Sequence, residues 1–215
     1  MCKIFSNFAV VFQGDIRIME IKPFNQGNID LVAEMAEGVW GKNQGAHGSA
    51  IARIFCQYLT RYYLYSDDLA LQAEDEDGMQ AIAFAWLPGE TNSAATWLRN
   101  QLPALTDDEQ QKLLTNERYL MRTDEELLSK MLPNSAKLSF FISKKKGYGT
   151  SVLNALIERL RKRGIEWLYL WTDCTCNWQY YPKHGFEFVG EAKVPEFSTD
   201  EEEYTNQIYR KHIKI

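Results

Sequence analysis

The sequence has no apolar run of 18 residues, only four cysteines and three histidines, and no basic excess. Without a long apolar run there is no transmembrane helix, and no membrane partner is expected. Cys2, Cys56, Cys174 and Cys176 do not form a disulfide framework. Cys174 and Cys176 stand two apart, too close for an ordinary bridge and one short of the redox C-x-x-C spacing. They read as small buried hydrophobes at a strand end, and this cysteine usage fits a reducing, cytoplasmic setting. His47, His184 and His212 are isolated, so no metal site is expected. A net charge of −5 and a pI near 5.3 argue against nucleic acid as a partner. Internal repeats, low-complexity tracts and interdomain linkers are also missing. What remains, 215 residues with 45% hydrophobic and 25% charged content, suits one soluble domain spanning 1–215.

Met1–Asp15 has the outline of a weak signal peptide, with Lys3 ahead of an apolar run. Ser6 and Asn7 interrupt that run and no small-residue cleavage site follows, so residues 1–15 read as a non-secretory extension. Ile16, Ile18 and Ile21 suggest a first strand, and Asn28 or Asp30 starts a helix. Residues 41–48 (GKNQGAHG) form a loop, after which Ser49 caps a helix striped with Ile51, Phe55, Tyr58, Leu59 and Tyr62. Leu69–Ala73 and Met79–Leu87 read as a hairpin around Glu74–Gly78, with the acidic run at a solvated tip. Residues 92–135 look helical, with capping-box spacing at Thr106…Glu109 and again at Thr123…Glu126. Two further strands are expected at Glu187–Glu191 and Glu203–Lys214, joined by an acidic surface loop.

The informative stretch is Lys137–Gly190. Leu138, Phe140 and Ile142 alternate along a short strand. Ser143–Gly149 (SKKKGYG) then turns into a helix whose Val152, Leu153, Leu156, Ile157 and Leu160 share one face. Basic residues crowd its carbonyl end, Gly164 stops it, and Ile165–Thr172 reads as a buried strand. Free N–H groups at a helix start carry partial positive charge, and glycines let an anion approach the backbone. Three lysines in a row add a field that favours a multiply charged phosphate.

Lys144–Gly149, as K-x-x-G-x-G, resembles the pyrophosphate loop of the GNAT acetyltransferase superfamily, with Lys144 where Gln or Arg is usual. The run Asn177…Tyr181-Pro182-Lys183-His184-Gly185-Phe186 resembles that family's second signature. The resemblance implies an α/β fold: a mixed, mostly antiparallel sheet flanked by helices. Residues 92–135 would then be a helical insertion between the third and fourth core strands. That insertion either borders the substrate cleft or serves as scaffolding, including homodimer contact.

The activity so implied is acetyl transfer from acetyl-CoA to the amine of a small molecule or, less in keeping, of a peptide or protein. The alternative is a non-catalytic acyl-CoA-binding or sensor domain. Tyr181 matches the family's general acid and would protonate the leaving thiolate. The run Lys144, Lys145, Lys146, Gly147, Tyr148, Gly149 and Thr150 would hold the pyrophosphate. Phe141 and Ile142 would bond the pantetheine arm through their backbone, and Asn177 would contact that arm or fix the helix start. An amine must lose a proton before it attacks. Asp173, at the end of the central strand, is one candidate base, and Glu34 and Glu37 are others.

Overall fold

The computed structural model describes residues 8–9, 18–41 and 44–214. Its strands are β1 (Phe8–Ala9), β2 (Ile18–Pro23), β3 (Ala70–Asp75), β4 (Gly78–Trp86), β5 (Ser135–Ser143), β6 (Trp167–Asp173), β7 (Glu187–Lys193) and β8 (Thr205–His212). They form one sheet in the order β1-β2-β3-β4-β5-β6-β8-β7. Every neighbouring pair is antiparallel except β5 and β6. The helices are α1 (Ile29–Trp40), α2 (Ala50–Tyr62), α3 (Ala94–Gln101), α4 (Asp107–Lys130), α5 (Tyr148–Lys162) and the single turn α6 (Tyr180–Lys183). The expected mixed, mostly antiparallel α/β sheet is therefore present. The expectation for residues 1–15 falls, apart from the pair in β1, outside the described residues.

Alternation along β4 explains how two helical layers pack at different depths. Ile82 and Phe84 point into the cluster formed with α1, α2 and α4. Ala81, Ala83 and Ala85 face α5, so that helix can lie close to the sheet. Its Val152, Leu153, Leu156, Ile157 and Leu160 fill the space that these small residues leave.

The segment between β4 and β5 departs from expectation at one point. The capping box at Thr106 and Glu109 is formed, with both reciprocal hydrogen bonds in place. The expected second start at Thr123 is absent, because α4 runs unbroken for 24 residues. No proline or glycine interrupts Asp107–Lys130, so a capping pattern inside it has nothing to restart. Thr123 instead accepts a hydrogen bond from Asn206 Nδ2 (3.1 Å).

Helix α4 is held to the sheet by a buried ion pair between Asp124 and Lys137 of β5. Lys137 is 1% exposed, with its ammonium 4.5 Å from the Tyr63 ring and 5.5 Å from that of Trp171. Asp124 also accepts from Trp171 Nε1 (2.6 Å) and Tyr62 Oη (3.1 Å). Burial drives the Lys137 amine below the usual lysine range, and Asp124 opposes that drift. Removing one member strands the other's charge in a desolvated site. Lys137→Met should therefore cost about 3–5 kcal/mol in urea denaturation. Adding Asp124→Leu should recover part of that loss, and a double variant less stable than the single one would contradict the pairing.

Candidate active site

Parallel pairing of β5 with β6 lasts only from Ser135–Trp167 to Lys137–Tyr169. Beyond it the two strands separate, each still paired on its outer side, β5 with β4 and β6 with β8. A register shift where Phe84 and Ala85 of β4 meet β5 adds a bulge at Ser139, just where the separation begins. Lys144 N–H donates to Gln80 O (2.8 Å), which fixes the phase of the β4–β5 ladder. Residues 140, 142 and 144 thus turn their backbone groups towards β4, and Phe141 turns its own into the gap. Of the expected pair Phe141 and Ile142, only Phe141 has backbone groups facing the gap. Ile142, whose backbone groups face β4, also borders the cavity.

The gap opens into a cavity of about 1310 Å³ lined from both faces of the sheet. The candidate residues Phe141, Ile142, Lys144, Lys145, Lys146, Gly147, Gly149, Thr150, Asp173, Asn177 and Tyr181 all border it. Tyr148, on the far side of the turn, does not. Glu34 is exposed and away from the cavity. Glu37 is occupied by His47 Nδ1 (2.8 Å) and Gly48 N–H (2.5 Å), so it braces the turn just ahead of α2. Position argues against Glu34 as the base, and these partners argue against Glu37.

The turn into α5 narrows the expected anion site. Lys144 N–H is used by Gln80, and Tyr148 N–H by Lys145 O (3.3 Å). The N–H groups of Lys146, Gly147, Gly149 and Thr150 have no acceptor among the described residues. Gly147 takes φ +89° with open space where a Cβ would stand. Gly149 is small for another reason: its Cβ would lie 3.0 Å from Ser143 Cβ and 3.2 Å from Phe141 Cζ. It lets α5 approach β5, which a purely ligand-based reading of this glycine misses.

Lys145 corrects the picture of three free lysines. Its ammonium is bound to Asp75 Oδ2 (2.5 Å) and reaches Asp77 Oδ2 (3.4 Å). Asp75 also accepts from Tyr148 Oη (2.7 Å), Gln80 Nε2 (3.0 Å) and Asp77 N–H (3.0 Å). Burial alone would raise the Asp75 carboxyl, but these donors outweigh it and hold it well below the usual carboxylate range. The acidic hairpin tip, expected to be solvated, thus clamps the loop through one buried carboxylate. Lys144 and Lys146 remain exposed.

Tyr181 lies against Tyr180, Phe186 and Tyr209, with ring centroids 5.6, 5.6 and 5.7 Å away. Its hydroxyl has no hydrogen-bond partner among the described residues. Burial pushes its pKa far above that of free tyrosine, and neighbouring Cys176, Tyr180 and Asp173 add to the effect. The phenol therefore keeps its proton throughout the neutral range. Tyr180 is committed elsewhere, 3.2 Å from Thr150 Oγ1 and stacked on His184 at 3.7 Å.

Asp173 is 5% exposed. Its carboxylate accepts from Thr175 N–H (2.9 Å), Thr175 Oγ1 (2.5 Å) and Cys176 Sγ (3.4 Å). Burial pushes the Cys176 thiol up to about 12, so it is no thiolate at neutral pH.

Several solved structures share this arrangement of strands and helices. An arylalkylamine N-acetyltransferase from Aedes aegypti matches with a TM-score of 0.55 at 12% identity, over 91% of this chain and 99% of that one. A chain from Desulfovibrio desulfuricans, described as a GNAT-family acetyltransferase, gives 0.52 at 12% identity over 91% and 98%. The Salmonella typhimurium protein YncA, described as an acetyltransferase with its cofactor acetyl-CoA, gives 0.52 at 10% identity over 91% and 94%. The chain has the GNAT fold. No protein-family model matches it, and no curated protein sequence does.

Within this GNAT fold, part of the cavity wall had no local signal in the sequence. Trp40, Tyr119, Trp171, Phe197 and Tyr204 line the cavity from α1, α4, β6 and the 194–204 connection. Its acidic stretch Thr199–Glu203 is exposed, as expected, whereas Val194 ahead of it is buried and Phe197 packs on Tyr119 at 4.9 Å. Helix α4 supplies Gln111, Lys112, Thr115, Asn116, Tyr119 and Leu120 to the same cavity as Tyr181.

The Asp75 clamp makes a pH-dependent prediction. A carboxyl with a depressed folded-state pKa adds stability that is complete above the unfolded range, near pH 4, and declines as pH falls towards its folded value. Asp75→Asn should cost on the order of 1–3 kcal/mol at pH 7, because buried donors lose their charged acceptor. The gap between wild type and variant should narrow at pH 3 in denaturant titrations. A gap that is constant with pH would mean that Asp75 does not titrate as described.

Proposed function

We propose that this protein is an acetyl-CoA-dependent N-acetyltransferase acting on a small amine. The observation that carries this reading is the passage between β5 and β6. Four amides without an acceptor among the described residues sit at one end, and the Tyr181 hydroxyl, likewise without a partner among them, stands on its wall. The acetyl-CoA named with the Salmonella protein of the same fold supports the choice of co-substrate.

The residues suit such a molecule. The N–H groups of Lys146, Gly147, Gly149 and Thr150, at the positive end of α5, would hold a pyrophosphate, with Lys144 and Lys146 adding charge. Phe141 would offer its backbone groups, and Ile142 and Asn177 their side chains, to the extended arm. When bound, acetyl-CoA supplies an activated thioester.

Alternation on β6 puts Asp173 on the face of Trp171, whereas Tyr181 packs with the α5-side cluster. Proton removal from the amine and proton delivery to the sulfur would therefore occur on opposite faces of the gap. Tyr181 would donate its Oη proton to the departing sulfur. A carboxylate has about four acceptor positions, and Asp173 uses three, so one remains for the incoming amine directly or through water.

A non-catalytic acyl-CoA sensor needs the amides but not a free phenol on the opposite wall, which favours the enzyme. No described helix is long and apolar enough to cross a membrane. The free thiols of Cys56, Cys174 and Cys176 fit a cytoplasmic setting.

Calorimetry with acetyl-CoA should give saturable one-to-one binding, and its absence would remove the basis of this reading. Tyr181→Phe keeps the ring packing and removes only an unpartnered hydroxyl, so stability and acetyl-CoA affinity should hold. Its kcat for acetyl transfer should drop by roughly 10²–10⁴. Wild-type kcat should show no loss attributable to Tyr181 below about pH 10. An undiminished kcat in the variant would rule out Tyr181 as the acid.

A further inference from the structure

On the face covered by α1, α2 and α4, the cavity is walled by aromatic rings and forms an apolar chamber. Tyr119 stands edge-on to Trp171 at 5.8 Å and to Phe197 at 4.9 Å, and Phe197 stands edge-on to Tyr204 at 5.4 Å. Trp40, stacked on Phe140 at 5.6 Å, adds a further apolar surface. The Tyr119 hydroxyl is spent on Asn206 Oδ1 (2.6 Å), so the chamber meets mostly ring carbon there.

Charge in the lining is sparse and of the wrong sign for a polycation. Asp173 and Glu202 are its only acidic residues among those described, against four lysines. Although the whole chain carries −5, the cavity itself offers an amine one buried carboxylate. Any second ammonium would be desolvated without a partner. The volume of 1310 Å³ exceeds what one drug-sized ligand usually needs, about 300–1,000 Å³, so a cofactor arm and a bulky acceptor fit together.

We propose that the acceptor is a primary amine bearing an aryl group: one ammonium at Asp173 and a flat ring among Tyr119, Phe197 and Tyr204. Aromatic rings pair edge-to-face or offset with such walls, which a straight aliphatic chain cannot do. This deepens the acetyltransferase reading and rests on it.

The test compares kcat/KM at saturating acetyl-CoA for 2-phenylethylamine, n-butylamine and spermidine. The aryl amine should exceed each of the others by at least about tenfold, the scale of one well-filled apolar subsite. Spermidine or n-butylamine matching it overturns the proposal, while acetyl-CoA binding in calorimetry keeps the parent reading intact. Absence of acetyl-CoA binding overturns both. Saturation-transfer NMR with 2-phenylethylamine gives a readout independent of turnover: contact from the ring protons supports the proposal, and none contradicts it. Phe197→Ala should raise the KM for 2-phenylethylamine about tenfold and leave that for n-butylamine nearly as it was. Equal effects on both amines, or none on the aryl amine, overturn the proposal.

Discussion

Parallel pairing between β5 and β6 ends after three residue pairs, and the whole candidate site depends on that ending. A sheet interior normally satisfies every backbone group within itself. Here two adjacent strands keep their outer ladders and give up their shared one. The gap is kept from closing by devices at both ends. Lys137, at the last pair, is fixed by Asp124 of α4, and Asp173, at the far end of β6, is drawn into the turn at Thr175 and Cys176. A bulge at Ser139 bends β5 away between them.

The gap also gives the two faces different chemistry. The α5 side offers amide dipoles, exposed lysines and a phenol that keeps its proton. The other side offers aromatic rings around one buried carboxylate. Passing through the sheet, instead of lying along its surface, lets a single cavity combine an anion-binding mouth with an apolar chamber.

Much of this was legible in the sequence wherever the cause is local. The strand, turn, helix and strand from residues 135 to 173 follow from periodicity and from glycines at 147, 149 and 164, and the capping box at Thr106 formed as read. The Thr123 pattern failed because a capping signal means nothing without a preceding break. Long-range causes were not legible. Lys145 reads as a free phosphate ligand until Asp75 appears beside it, from a hairpin tip that alone looks solvated. The aromatic chamber draws on residues as far apart as Trp40 and Tyr204, each of which reads by itself as ordinary core. The ladder phase that sets Phe141 apart from Ile142 exists only once β4 has paired.

The clamp on Lys145 joins segments 70 residues apart in the chain. A glycine-containing loop usually loses conformational freedom when it closes on an anion, and that loss weakens binding. Here the loss is incurred at folding, because the hairpin tip already fixes the turn. An anion held there as proposed would exchange without loop reordering, at a rate set by the contacts themselves. A change at the tip would alter residence time from a distance, since Asp75 itself does not border the cavity.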